Sequence, residues 1–142
     1  MALLPRKGLL AIAAVIDVAL YHSGRPVSAK ALAVRHQLPA RHLEPVLQAL
    51  VRDGILKGIR GPRGGYELAR ERKKITADQI LRAAGTIEND SDLGGSGSAL
   101  LNEVVGPAVA QAERAFSASL GRISIEELVK RAEPFREAFG LR

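Results

Sequence analysis

Residues Gly54 to Arg70, GILKGIRGPRGGYELAR, gather the side chains of this chain best suited to hold an anion. Arg63 sits inside the tight pentad Gly61-Pro62-Arg63-Gly64-Gly65, and Arg60 and Arg70 flank it. Guanidinium groups keep their charge at neutral pH and present forked donors that match phosphate and carboxylate oxygens. The plainer alternative for Arg63 is a solvated turn arginine. Catalytic chemistry finds no comparable cluster. His22, His36 and His42 form no pair at ligand spacing, and none lies beside a carboxylate in a catalytic register. No nucleophile–base pair is apparent, so an enzyme is not expected. The GPRGG pentad lacks the Gly-Lys-Ser/Thr ending of a phosphate loop, and no helix opens after it.

The elements that must carry these residues follow from apolar spacing and punctuation. Ile55–Arg60 and Tyr66–Ala69 are β-prone, and the Gly/Pro pentad between them predicts a hairpin. A first helix is predicted over about Lys7 to His22, with Leu9, Ile12, Ala13, Ile16, Ala19 and Leu20 on its apolar face. Ser28 is a good N-cap for a short helix through Arg35 or His36. Gln37-Leu38-Pro39 then turns into a third helix over about Ala40 to Arg52, burying Leu43, Val46, Leu47 and Leu50. Pro45 either kinks that helix or delays its start. Thr76-Ala77-Asp78-Gln79 is a capping box opening a fourth helix through Ala84. Residues 88–98, ENDSDLGGSGS, read as a flexible loop. A long helical segment is predicted from about Ala99 to Leu120, which Gly106-Pro107 either kinks or divides into a lead-in and a helix starting at Pro107. A last helix opens at Ser124-Ile125-Glu126-Glu127 and runs through about Ala132.

Composition narrows the function classes. The chain has 142 residues, 46% of them hydrophobic, and no cysteine. Disulfides, thiolate catalysis and cysteine-held iron–sulfur clusters are therefore excluded. The net charge of +6 is uneven: residues 1–74 hold 14 Lys/Arg against 5 Asp/Glu, and residues 75–142 hold 7 against 10. A basic front half suits a polyanion. Aromatics are only 4%, too few for the stacking platforms of single-strand and RNA binders. The apolar run Gly8–Ile16 falls far short of the ~20 residues that span a bilayer, and Asp17 interrupts it. Neither a membrane segment nor a membrane partner is expected, and the chain is placed in the cytoplasm.

Helix, short helix, tight turn, third helix, hairpin is the order of a winged helix-turn-helix. A helix fits the major groove of duplex DNA, and the wing reaches along phosphates or into the minor groove. Arg41, His42 and Glu44 stand at the start of the third helix, where base-reading residues lie. Arg41 can donate to guanine or phosphate, and Glu44 can accept from cytosine. Glu44 has the second reading of an intramolecular ion pair. His42 has the second reading of a packing aromatic in the turn.

The segments RKGLLAIAAVIDVAL, PVSAKALAVRHQLPARHLEPVLQALVRDGIL, KGIRGPRGGYELAR and ITADQILRA, with the helix around Pro107 and ISIEEL behind them, resemble the Rrf-two (Rrf2) group. These are bacterial transcriptional regulators that include the IscR and NsrR types. The wing RGPRGGYELAR following HLEPVLQALVRDGIL is the specific part of the likeness.

The resemblance implies a homodimer on a partly palindromic operator in double-stranded DNA. DNA contacts map onto Ser28, Pro39, Ala40, Arg41, His42 and Glu44, and on the wing onto Arg60, Gly61, Pro62, Arg63 and Gly64. Dimerisation maps onto the long helix, at Leu101, Val104, Val105, Ala108, Ala112 and Phe116. Many members hold an iron–sulfur cluster on three cysteines in the loop that corresponds to ENDSDLGGSGS. This chain has none, so no such cofactor is expected. Glu88, Asp90 and Asp92 there, with the three histidines His22, His36 and His42, are the remaining hard-metal candidates. Carboxylates in a Gly/Ser loop are more often solvated, and no metal site is expected.

The fold expected is therefore mainly α with a small β-hairpin: a winged helix-turn-helix head plus a long dimerisation helix. The head takes residues 1–86, a flexible loop 87–98, and the dimerisation and C-terminal helices 99–142. The function expected is a dimeric repressor, open to an unidentified small-molecule effector. The alternative is a winged-helix interaction module that does not read DNA, against which the basic front half argues.

Overall fold

A computed structural model describes residues 3–87 and 97–139. The head is built from α1 (Arg6–Tyr21), α2 (Ala29–His36), α3 (Ala40–Arg52), the hairpin β1 (Leu56–Ile59) and β2 (Gly65–Leu68), and α4 (Ala77–Ala83). Behind it come α5 (Gly106–Gly121), α6 (Ile125–Ala132) and the terminal turn α7 (Arg136–Phe139). The expected loop lies, for residues 88–96, outside the described residues, and so do Glu88, Asp90 and Asp92. No helix among the described residues is long and apolar enough to cross a membrane.

α1 forms the centre of the core, but on a different face from the one its sequence suggests. Ala11, Ala14, Val15 and Val18 are fully buried, and Leu9 is 46% exposed. The helix is apolar nearly all round, so its own periodicity does not select a face. The partners select it: Leu32 of α2, Leu43, Leu47 and Leu50 of α3, and Ile55 and Leu56 at the start of the hairpin.

β1 and β2 pair antiparallel, with Leu56 opposite Leu68 and Ile59 opposite Gly65. β2 keeps the expected length but starts one residue earlier, at Gly65, and β1 is shorter than its β-prone stretch, because Arg60 enters the loop. Gly61 closes it at φ +115°, in the left-handed region that side chains disfavour. The Gly64 N–H donates to the Gly61 carbonyl at 2.9 Å. Val27 adds a third strip, exchanging hydrogen bonds with Tyr66 at 2.9 and 2.8 Å and tying the wing to the start of α2.

That strip depends on a bare backbone at Gly65. A Cβ there would lie 2.4 Å from the Val27 carbonyl oxygen. Gly65→Ala is therefore expected to break the Val27–Tyr66 exchange and to cost about 1–3 kcal/mol. Urea unfolding of the variant beside the parent measures this.

The rear of the molecule is less separate than its sequence suggests. Ile125 and Val129 of α6 enter the main core. The Ala77 N–H donates to the Ile123 carbonyl, and the Ile125 N–H to the Ile75 carbonyl, at 2.9 and 2.8 Å. α4 is also clasped to α5, since Arg82 donates to Asp78 and to Ser117, both at 2.6 Å.

Of the two expectations for Gly106-Pro107, a kink or a division into a lead-in and a helix starting at Pro107, the structure shows the division, one residue early: a lead-in over Leu101–Val105 and then a helix from Gly106. The five residues Leu101–Val105 wind as a π-turn in which the Gly106 N–H reaches the Leu101 carbonyl. α5 follows directly, with Pro107 in its first turn. The wider turn shifts the hydrogen-bond register just where the proline lacks a donor.

Candidate nucleic-acid interface

α2 and α3 are joined by a turn that two local features fix. The Ser28 side chain caps α2, accepting from the Ala31 N–H at 3.0 Å. At the other end Gln37 takes the left-handed conformation, φ 55°, and the Leu38 N–H donates to the Ala33 carbonyl. Pro39 then stands as N-cap of α3 with an extended backbone. Ser28 is thus half-buried and engaged in capping, whereas Pro39 and Ala40 are exposed.

α3 is strongly two-faced. Leu43, Val46, Leu47 and Leu50 are buried, and Arg41, His42 and Glu44 lie on the solvent side. Among the described residues none of these three side chains forms a hydrogen bond or ion pair. The ion-pair reading of Glu44 therefore finds no partner, and an exposed His42 does not serve as a packing aromatic. α3 runs unbroken from Ala40 to Arg52 through Pro45. Pro45 faces outward, so its ring meets solvent rather than core, and water can reach the Arg41 carbonyl that loses its usual donor.

α3 leads into the wing with little slack. The Ile55 N–H donates to the Leu50 carbonyl at 2.9 Å, and Ile55 is 1% exposed. At the far end Arg60, Gly61, Pro62 and Arg63 are exposed, Gly64 is half-buried, and neither arginine has an intramolecular partner among the described residues. Arg70 does not belong to this group. Its guanidinium donates to the Gly54 carbonyl at 3.2 Å and to Gln79 at 3.4 Å, so it staples the base of the hairpin. Lys30, in the first turn of α2, adds an exposed unpaired cation that the sequence reading did not single out.

The sequence reading also missed a buried charged cluster behind α2. Asp17 of α1 is 5% exposed. Its carboxylate accepts from Arg35 Nη2 at 2.7 Å and Nε at 2.9 Å, and His36 Nε2 lies at 3.1 Å. Burial pushes the Asp17 carboxyl up, but the hydrogen bonds and charges of Arg35 and His36 outweigh it and hold it below the usual carboxylate range. The Arg35 guanidinium also stacks over Tyr21 at 4.1 Å. A second histidine is paired across elements, with His22 Nε2 3.0 Å from Glu67 on β2. The one available signal was an aspartate inside an otherwise apolar helix.

The expected dimer face is partly free. Val104, Val105, Ala108 and Ala112 are exposed, with Leu100 and Val109 beside them, and Leu101 is half-buried. Phe116 packs instead against Ala77, Leu81 and Leu120 of its own chain. Its position two turns past Ala108 brings it over α4, where the Arg82 clasp holds the two helices together.

Comparison with known proteins places this architecture. The Rrf2 profile, described as an iron-dependent transcriptional regulator, matches residues 4–131. The transcriptional regulator IscR of Xenorhabdus nematophila is 30% identical over 135 residues, covering 92% of this chain and 80% of that one. Among solved structures, IscR of T. potens superposes with TM-score 0.71 at 28% identity, covering 97% of this chain and 91% of that one. CymR, the global cysteine regulator of B. subtilis, superposes with TM-score 0.70 at 25% identity over 92% and 98% of the two chains. Against the relatives from Haemophilus influenzae and Synechocystis, the match is confined to 80 residues, about half the length of those proteins. With a capped helix pair, a Gly/Pro wing and a rear helix matched almost end to end, the chain belongs to the Rrf2 family of transcriptional regulators.

Proposed function

We propose that this protein is a sequence-specific DNA-binding regulator that works as a homodimer on a partly palindromic operator, repressing by covering a promoter. The observation that carries the reading is the pair of unpartnered polar groups: Arg41, His42 and Glu44 at the start of α3, and Arg60 and Arg63 on the wing. Unpaired guanidinium groups on rigid backbone are ready to neutralise phosphates, the dominant source of affinity for DNA. Arg41 and Glu44 would read bases, and Arg60 and Arg63 would hold backbone or minor groove. Such work belongs to the cytoplasm, and no catalytic step is assigned.

The exposed stripe of Leu100, Val104, Val105 and Val109 supports the dimer, since contiguous apolar patches of this kind usually mark interfaces. The iron of the family description does not fit this chain through thiolates, because it has no cysteine. Among the described residues no three His, Asp or Glu side chains gather at metal-binding distance. We propose regulation without an iron–sulfur cluster.

Val104→Glu places a charge on that stripe and is expected to convert a dimer into a monomer with a folded head. Sedimentation at micromolar concentration reads the mass, and footprinting reads the DNA. The parent should protect two half-sites about one helical turn apart. A monomeric parent, or a parent that protects no site near its own gene, would overturn the reading.

A further inference from the structure

A cavity of about 650 Å³ lies between α1, the C-terminal end of α2, and α6 with the turn that follows it. Its size falls within the roughly 300–1,000 Å³ of small-molecule sites. Ala13, Ile16 and Leu20 form one wall, and Leu128, Ala132 and Phe135 the opposite one. Asp17, Tyr21, Arg35, His36, Gln37 and Arg131 supply the polar groups.

The state of those polar groups sorts the ligands. Among the described residues Asp17 is the sole acidic one in the lining, and both its oxygens already accept from Arg35 or lie against His36. It has little left to offer a cation. The Tyr21 hydroxyl is also engaged, donating to the Arg136 carbonyl at 2.6 Å. Arg131 stands at the rim with its guanidinium largely in solvent and only a long 3.8 Å approach to Glu127. An incoming anion therefore meets a loosely held cation, and its apolar body meets aliphatic walls.

We propose that this cavity is an effector site for a small organic carboxylic acid, its apolar body between α1 and α6 and its carboxylate toward Arg131. The site rests on the DNA-binding reading for its consequence. Arg35, His36 and Gln37 end α2 and directly precede the turn that sets α3, so a ligand wedged against them shifts the reading helix relative to α1.

The test uses the full chain and the fluorescent probe anilinonaphthalene sulfonate, displaced by octanoate or phenylacetate and by the matched alcohols, 1-octanol and 2-phenylethanol. One saturable probe site per chain is expected. The carboxylates should displace it at about tenfold lower concentration than the alcohols, as a charge-assisted contact requires. Ala132→Phe projects a ring into the cavity between α1 and α6 and should abolish the probe site. Arg131→Glu, on the exposed rim, should keep the probe-free fold and lose the preference for carboxylate over alcohol. Operator affinity, measured by anisotropy, should change at least about fivefold with saturating carboxylate in the parent and not in Ala132→Phe. Absence of a saturable site, equal displacement by acid and alcohol, or an unchanged Arg131→Glu preference would overturn the site. Carboxylate binding without a change in operator affinity would overturn its coupling to α3. Operator binding without any ligand stands as a separate measurement, so failure of the DNA-binding reading shows there first.

Discussion

Arg41→Ala is expected to weaken operator binding by about 1–3 kcal/mol, roughly five- to 150-fold, and to relax the base preference at one position of each half-site. The expectation follows from three properties of the residue. Arg41 is exposed, has no intramolecular partner among the described residues, and stands in the first turn of a helix whose opposite face is buried. Its removal leaves the core untouched, so the melting temperature should stay where it is. Arg63→Ala on the wing should behave differently. It should lower affinity for all sequences alike and reduce the slope of log affinity against log salt by about 1. Binding-site selection from a random library, repeated at two salt concentrations, separates the two. A selected motif that is identical for the parent and Arg41→Ala would remove Arg41 from base reading.

Asp17→Asn is expected to destabilise the head by about 3 kcal/mol. It keeps the side-chain volume but strips the buried charge that the half-buried Arg35 and His36 face. The pH dependence has a definite sign. The native carboxyl lies below its ordinary range, so its stabilisation is fully present above the unfolded value of about 3.9 and fades as pH falls through the native value. Urea midpoints of parent and variant should therefore differ most at neutral pH and converge in acid below that range. A constant gap down to acid pH would show that the charge of Asp17 is not what the variant removes.

The parts legible in the sequence were those specified locally. α3 spans Ala40 to Arg52 as expected, because a proline N-cap, a strong apolar stripe and a terminal Asp-Gly lie within one segment. The hairpin was marked by its own glycines and proline. What was not legible depends on distant partners. The buried face of α1 is chosen by helices that arrive later in the chain, and Asp17 meets its partners 18 and 19 residues on, across a turn. Arg70 has the same composition signal as Arg60, yet a carbonyl and a glutamine side chain within reach turn it from a ligand-facing group into a staple. Pro107 marked where a new helix starts, but the π winding of the lead-in before it has no sequence mark beyond the proline it accommodates.

The return of α6 into the core bears on how members of such a family can exchange parts. Ile125 and Val129 complete the hydrophobic packing around Ile75 and Ile80, and a backbone bridge at Thr76 and Ser124 seals the seam. A head cut out at residue 86 would take its DNA-reading surface with it but leave a wall of its own interior behind. Recombination between relatives would then transplant binding specificity only in grafts that carry α3 and the wing alone, or that move the first 86 residues and α6 as one inheritance. Of the long helix between them, the exposed face at Val104, Val105 and Val109 is free to diverge while Phe116 and Ser117 stay tied to α4, and a new operator and a new dimer partner can be acquired in separate steps.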